Sequence, residues 1–373
     1  MPSYLDHNAT TPVDPRVVEA MLPYLAGPYG NPSSLHRYGR LARDAVERAR
    51  AQVAALIGAQ PGEILWTSGG TEANNLALKG LCQGEPQGRV LYGATEHPAV
   101  MEAAESLRAQ GWVVEPVAVD AGGLIEAPAF RAQLRAGPLR VVSLMWANNE
   151  TGVVQDLAPW VEPVHAGGGW LHVDATQAAG KLPLDFAALG ADLMTVSSHK
   201  LYGPKGIGAL ALRAEVDLQA QLHGGAQEKG LRGGTENLPA IVGFGVAAEL
   251  AAAELAQRAA HCLALRERLD AGLRALPGLR LFAGGVERLP NTSQFGLDGW
   301  EGEALLMHLD RLGYAVSSGS ACASGSGEPS HVLLAMGVDP LIAKGAVRVS
   351  LGKDSREAEV DGFLAALRGL LRS

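Results

Sequence analysis

Between Ile64 and Arg213 seven short apolar runs alternate with amphipathic stretches of helical spacing; the runs lie near 64–68, 89–95, 112–119, 139–147, 170–174, 193–198 and 208–213. Strand and helix in regular succession bury the strands most simply as a parallel-rich sheet wrapped by helices, so the expected fold class is α/β. Ligands of such sheets gather beyond the carboxyl ends of the strands. The polar, glycine-rich segments of this chain fall where those ends should be. Ahead of the alternation, Asp14 and Pro15 start a helix over 16–24, and Leu41, Ala45, Ala49, Val53 and Leu56 recur at helical spacing before Gly58. After it, a helix from about Pro239 to Leu276 bridges to a second alternating set with strands at 279–283, 292–297, 314–317 and 347–351. A final helix opened by Asp354 with Glu357 closes the chain. The division this suggests is a large domain over 11–255 and a small one made of 1–10 and 256–373.

The 373 residues are 47% hydrophobic, enough for a sizeable core without staples. A net charge of −8 and a pI near 5.7 argue against nucleic acid as a partner, since phosphate backbones are bound through basic surface. Met1 leads directly into Tyr4-Leu5-Asp6-His7-Asn8 with no signal-peptide pattern, and no uninterrupted apolar run is of bilayer-spanning length. A cytoplasmic protein with no membrane partner is expected. Cys82, Cys262 and Cys322 stand too far apart for a zinc site or a disulfide framework, so no metal is expected.

Lys200 follows the apolar run Leu193 to Val196 in the string Ser197-Ser198-His199-Lys200, and Gly203, Pro204, Gly206 and Gly208 force a tight turn after it. A lysine there is either a snorkelling surface residue or a Schiff-base lysine carrying pyridoxal phosphate (PLP), with Ser197 and His199 beside it to hold oxygens. The neighbouring run ends in His172-Val173-Asp174-Ala175-Thr176-Gln177. A carboxylate at the end of a buried strand needs a partner. A protonated pyridine nitrogen would suit Asp174, with Gln177 in reach of the ring oxygen; a cap on the next turn is the plainer alternative. Ile64 to Ser68 runs through Gly69-Gly70 into Thr71, placing free N–H groups of a helix start where a phosphate could sit, although Thr71 could equally be a plain N-cap. His97 ends a strand just before Pro98 and would either cap the helix or serve a ligand, and Asn148 or Asn149 could simply make a turn. Residues 223–237 form a long polar, glycine-rich loop.

The segment 317–331 surrounds Cys322 with serine, glycine and alanine, leaving nothing bulky to bury the thiol. Most cysteines are inert core residues. An unpacked one in a mobile loop is better read as a nucleophile, whereas Cys82, beside Leu78 and Leu81, and Cys262 read as core.

The strings Leu5 to Thr11, Gly30-Asn31-Pro32-Ser33, Thr67 to Asn75, Glu96-His97, Asn148-Asn149-Glu150, His172 to Gln177, Ser198-His199-Lys200, Ser318 to Cys322 and Val347 to Gly352 together resemble the class I (NifS/IscS-like) cysteine desulfurases. The likeness covers nearly the whole chain. It implies the aspartate aminotransferase fold type of PLP enzymes: a large domain with a mostly parallel seven-stranded sheet and a smaller α/β domain carrying the cysteine loop. It also implies that Lys200 holds PLP, Asp174 pairs with the pyridine nitrogen, Gln177 meets the ring oxygen and His97 stacks on the ring and moves protons. Gly70, Thr71, Ser197 and His199 would bind the phosphate. Asn148 and Arg348 would grip the substrate carboxylate, which a planar guanidinium suits, and Asn31 would line the same pocket. In the family a threonine from the second subunit, matching Thr235, completes the phosphate site, so a homodimer is implied.

The implied reaction takes sulfur from L-cysteine, giving L-alanine and a persulfide on Cys322 for delivery to an acceptor protein, an iron–sulfur scaffold or a sulfur carrier. Selenocysteine lysis or aminotransfer would share every residue except Cys322. A non-catalytic sulfur-carrying subunit would not need an intact Lys200 and Asp174. One departure is Gly233-Gly234, where the family more usually has Ser-Gly or Ala-Gly.

Overall fold

The computed structural model describes residues 3–27, 29–297, 299–318 and 328–371. All seven expected strands of the large unit form: β1 (Ile64–Thr67), β2 (Arg89–Gly93), β3 (Val113–Val117), β4 (Leu139–Met145), β5 (Trp170–Asp174), β6 (Leu193–Ser197) and β7 (Gly208–Leu212). They make one sheet in the order β1-β7-β6-β5-β4-β2-β3. β7 is antiparallel to both neighbours and the other four pairings are parallel. The reversal has a simple cause. Residues 198–207 are too few for the crossover that a parallel neighbour requires, so the chain turns back on itself. Every residue of β1, β2 and β6 is buried, as expected of strands covered on both faces.

Helices α1 (Pro15–Ala26) and α2 (Arg37–Ile57) pack against the long helix α5 (Leu238–Arg274), and between them in the chain lie α3 (Gly70–Cys82) and α4 (Pro98–Glu105). Asp14 caps α1 by accepting from the Arg16 N–H at 3.0 Å, with Pro15 preset in the first turn. The buried stripe of α2 is Ala42, Ala45, Val46, Ala49 and Val53; Leu41, expected on that stripe, is 47% exposed. Small residues there let α5 come close. A Cβ on Gly245 would lie 2.7 Å from Ala49 Cα, so only glycine permits this crossing. By length and composition α5 could cross a bilayer, although Glu249 and Glu254 interrupt its apolar run. Its apolar residues Ile241, Phe244, Ala248 and Ala251 are instead buried in the protein core.

The second unit centres on four antiparallel strands, β8 (Leu279–Leu281), β9 (Thr292–Leu297), β10 (Ser317–Ser318) and β11 (Ala346–Ser350), in the order β10-β11-β9-β8. The expected strand at 314–317 is thus split: Tyr314–Ala315 pairs in parallel with Ser3–Tyr4, and only then does β10 join β11. α6 (Glu357–Leu370) covers this sheet, its Phe363 packing on Phe295 with ring centroids 6.4 Å apart. It starts at Glu357 and not at Asp354, because Gly352 and Ser355 close a turn first and Glu359 then accepts from the Arg356 N–H. The N-terminal segment straps the two units together. The His7 N–H donates to the Ser350 carbonyl at 3.1 Å, and the Thr11 and Asp14 N–H groups donate to the carbonyls of His199 and Tyr202 at 3.0 Å each.

Candidate active site

Because β7 alone runs the other way, the carboxyl ends of β1, β2, β4, β5 and β6 meet on one edge of the sheet. The chain leaves each of them through a polar turn. β6 gives way to a single turn over Ser198–Lys200, closed by the Leu201 and Gly203 N–H groups donating to the Ser198 carbonyl at 3.1 Å each. A Cβ on Gly203 would lie 3.1 Å from both the Ser198 carbonyl oxygen and Ala247 Cβ and would displace Ser198 Oγ, so the turn favours glycine there. It aims Lys200 at the N-terminal strap, where Nζ donates to the carbonyls of Asn8 at 2.6 Å and Ala9 at 2.7 Å.

β5 ends on Asp174, 5% exposed, whose Oδ2 accepts from Asn74 Nδ2 at 2.8 Å and whose Oδ1 accepts from the Thr176 N–H at 2.9 Å. Gly69, and not Thr71, occupies the N-cap of α3, so Thr71 stands exposed inside the first turn. A Cβ on Gly70 would lie 3.3 Å from Thr176 Oγ1 and 3.7 Å from Ser197 Cβ, which places the start of α3 directly over the ends of β5 and β6. His97 does cap α4: its Nδ1 accepts from the Ala99 N–H at 3.1 Å. An acceptor Nδ1 leaves the proton of a neutral ring on Nε2.

These residues enclose a cavity of about 640 Å³. It is lined by nine of the residues singled out in the sequence: Gly70, Thr71, His97, Asp174, Gln177, Ser197, His199, Lys200 and Arg348. Three others are placed differently. Asn148 lies just behind the wall, and its side chain is consumed by the turn it builds. Its Nδ2 donates to the Thr95 carbonyl at 2.9 Å, and its Oδ1 accepts from the N–H groups of Glu150 and Thr151 at 2.9 and 2.8 Å. Asn149 and Glu150 line the cavity in its place. Asn31 and Thr235 are exposed residues away from this cavity, Asn31 closing its own turn by accepting from the Ser33 N–H at 2.8 Å. Cys322 lies outside the described residues. Arg348, delivered by β11, is 1% exposed and partly committed, Nη1 donating to the Asn149 carbonyl at 2.9 Å and Nη2 to Asp6 Oδ1 at 2.7 Å.

Burial dominates the electrostatics. It pushes the imidazoles of His7, His172 and His199 down to about 4 and lowers that of His97. Glu96, with Oε1 accepting from the Met145 N–H, and Glu150, accepting from Ser330 Oγ, are both raised by burial. The unfolded chain titrates its histidines near 6.5. Between that value and about 4 the native state refuses protons that the unfolded state accepts, so stability is full above pH 6.5 and is lost as pH falls through this window. Glu96 and Glu150 act in the opposite sense, holding protons that the unfolded chain releases. With His7, His172 and His199 refusing protons across the window, His97 lowered as well, and two carboxyl groups acting against them, a net excess of roughly one to two protons predicts a loss of about 1–3 kcal/mol per pH unit. Thermal melts at pH 7 and pH 5 measure it. An unchanged melting temperature would contradict the neutral state of these rings.

Residues 3–363 match the aminotransferase class-V family. The chain belongs to that family. A cysteine desulfurase of Trichormus azollae is 45% identical over 366 residues, which is 98% of this chain and 91% of its own length. Among solved structures, a NifS-like protein superposes with a TM-score of 0.93 at 38% identity over the whole of both chains. SspA, solved in complex with cysteine, superposes with a TM-score of 0.82 at 32% identity over 94% of this chain and 99% of its own. The expected fold, a mostly parallel seven-stranded sheet joined to a smaller α/β unit, is therefore that of the class-V family.

Several residues that organise this class-V site had no assigned role in the sequence. Asn74 orients Asp174 from one turn into α3. Asn8 joins seven partners across the molecule: its N–H donates to Ser350 Oγ at 2.9 Å, its carbonyl accepts from Lys200 and Gln177, its Oδ1 from Lys181 at 3.2 Å and Asn291 at 3.1 Å, and its Nδ2 donates to Thr292 Oγ1 at 2.8 Å and the Asn149 carbonyl at 3.1 Å. Both asparagines stand within the strings that carry the family likeness, and that was their only signal. His331 and Glu328 bring the far end of the cysteine segment to the cavity, His331 Nε2 donating to the Glu96 carbonyl at 2.9 Å.

Proposed function

We propose that this protein is a PLP-dependent cysteine desulfurase, converting L-cysteine to L-alanine while its sulfur passes to Cys322. The observation that carries the reading is the meeting of three unlike groups in one cavity: an amine on Lys200, a carboxylate on Asp174, and a polar cradle at the start of α3. In that cradle Ser197 Oγ and Thr176 Oγ1 are buried with no hydrogen-bond partner among the described residues. Orphaned hydroxyls beside the open N–H groups of a helix start fit a phosphate. The carboxylate fits a protonated ring nitrogen and the amine fits an aldehyde, so the residues present fit PLP. When bound, that group supplies an electron sink for the carbon skeleton of the substrate.

Lys200 is placed to hold the cofactor and to move the α-proton, and His97, neutral with its proton on Nε2, is placed to move protons at the cavity wall. Arg348 carries positive charge where a substrate carboxylate enters, with Asp6 and Asn149 fixing its fork. The Cys322 thiolate attacks the substrate sulfur. The S–S bond forms as the C–S bond breaks, the electron pair leaves on carbon and is protonated, and L-cysteine plus one thiol become L-alanine plus one persulfide. The sulfur would then pass to an acceptor protein in the cytoplasm, an iron–sulfur scaffold or a sulfur carrier.

The reading includes a homodimer. Thr235 and Asn31 are exposed and outside the lining of their own chain's cavity, and Leu22, Leu25, Tyr29, Leu35 and Tyr38 form an exposed apolar set on α1, the connection after it and the start of α2. A second copy would cover such a surface. One experiment addresses both parts. Wild-type protein with PLP is expected to release alanine from L-cysteine and, with a thiol reductant, equal sulfide. A Lys200→Ala chain mixed with a Thr235→Ala chain is expected to regain activity, because a crossed dimer places both lesions on one site and leaves the other whole. No alanine from the wild type would sink the desulfurase reading; normal wild-type turnover without rescue in proven heterodimers would sink only the shared site.

A further inference from the structure

We infer that Lys181, a second lysine behind the cavity, is a positioning residue that fixes the amide of Gln177 and, through Asn8, the amine of Lys200. The inference rests on the cofactor reading above. After β5 the chain makes one helical turn, the Ala179 N–H donating to the Ala175 carbonyl and the Leu182 N–H to the Ala178 carbonyl, both at 2.9 Å. Residues four apart on such a turn are neighbours. Lys181 Nζ donates to Gln177 Oε1 at 2.6 Å and to Asn8 Oδ1 at 3.2 Å. The Asn8 carbonyl only accepts, so Gln177 Nε2 must face it, at 2.9 Å, which turns the oxygen end of the amide to the donor on Lys181. Two partners of opposite polarity therefore set the amide one way round, and the remaining Nε2–H is left for a ligand in the cavity that Gln177 lines.

The same Asn8 carbonyl accepts from Lys200. Lys181 thus meets Gln177 directly and Lys200 through Asn8, and does not line the larger cavity. It opens instead on a separate cavity of about 30 Å³ beside Cys262 and His7, room for roughly one water molecule. Holding a cation there is costly: burial, with Lys200 and Arg348 nearby, pushes its pKa down to about 7. An apolar side chain would fill the place without that cost. A buried cation with both its hydrogen bonds directed at groups that hold the site acts on the site more than on the fold.

The test is a double-mutant cycle of Lys181→Met, Gln177→Ala and both together, read by the absorption spectrum and affinity of bound PLP, by kcat and KM, and by thermal melting. Lys181→Met is expected to melt no lower than wild type, shift the spectrum of the bound cofactor, weaken its binding about fivefold, and lower kcat about tenfold with little change in KM. The double variant should be no worse than Gln177→Ala alone, since both lesions break one arrangement. Lys181→Gln, which keeps an N–H donor, should recover most of the loss and serves if the methionine variant does not fold. A wild-type spectrum and rate in Lys181→Met, losses that multiply in the double variant, or no recovery in Lys181→Gln would overturn the inference. If the wild type takes up no PLP, the functional reading fails on its own, and the cycle is then read in melting temperatures, where additive shifts would still refute the Lys181–Gln177 coupling.

Discussion

Lys200→Ala is expected to abolish turnover of L-cysteine, by about 10³-fold or more, and to leave no cofactor fixed to the chain by borohydride. Lys200 is the lysine that lines the 640 Å³ cavity, at the end of β6 and next to the strand that ends in Asp174. Lys181, the other lysine of this region, faces the small cavity behind it. The fold should survive the change. Lys200 gives up its hydrogen bonds to the carbonyls of Asn8 and Ala9, and those carbonyls can be satisfied in part by water entering the space, so a loss on the order of 1–3 kcal/mol is expected. Melting separates the two effects. Cofactor fixed to Lys181 or Lys205 in the wild type, mapped by peptide mass, would refute the assignment.

Cys322→Ser is expected to bind PLP and L-cysteine as the wild type does and yet release sulfide at least about 10³-fold more slowly, because a serine cannot carry a persulfide. The other two thiols cannot substitute. Burial pushes Cys82 up to about 12 and Cys262 up to about 11, so at neutral pH roughly one molecule in 10⁴ or fewer holds either as thiolate, the form that attacks sulfur. Cys82→Ser and Cys262→Ser should therefore keep nearly full activity. Undiminished sulfide release by Cys322→Ser would mean that the C–S bond is broken without a protein nucleophile, as in a lyase.

Much of this was local in the chain and so legible in the sequence. The seven strands are continuous apolar runs with polar turns behind them, and burial on both faces removes any need for alternation. Asp174, Ser197, His199 and Lys200, which line the cavity, were legible as candidates because each closes or follows such a run, and an α/β sheet turns strand ends into site positions. His97 and Gly70 were candidates for the same reason. A tight glycine turn, an N-cap or a helical stripe is written within four or five residues, a reach over which residue type and spacing carry the signal.

What the sequence by itself determined about this protein is the α/β alternation, the edge of the sheet at which the site forms and the residues at the strand ends; which of their atoms are available was decided only by the tertiary structure. Asn148 looks like a ligand-binding asparagine and spends its amide on its own turn, while Asn149 faces the cavity. Arg348 meets Asp6 from the far end of the chain, and Asn8 meets Lys200, Lys181 and Thr292 across separations of 192, 173 and 284 positions. Hydrogen bonds over such distances leave no periodicity behind. They exist because folding carries the N-terminal strap between the two sheets, where buried donors and acceptors must find one another or bear the cost of being alone.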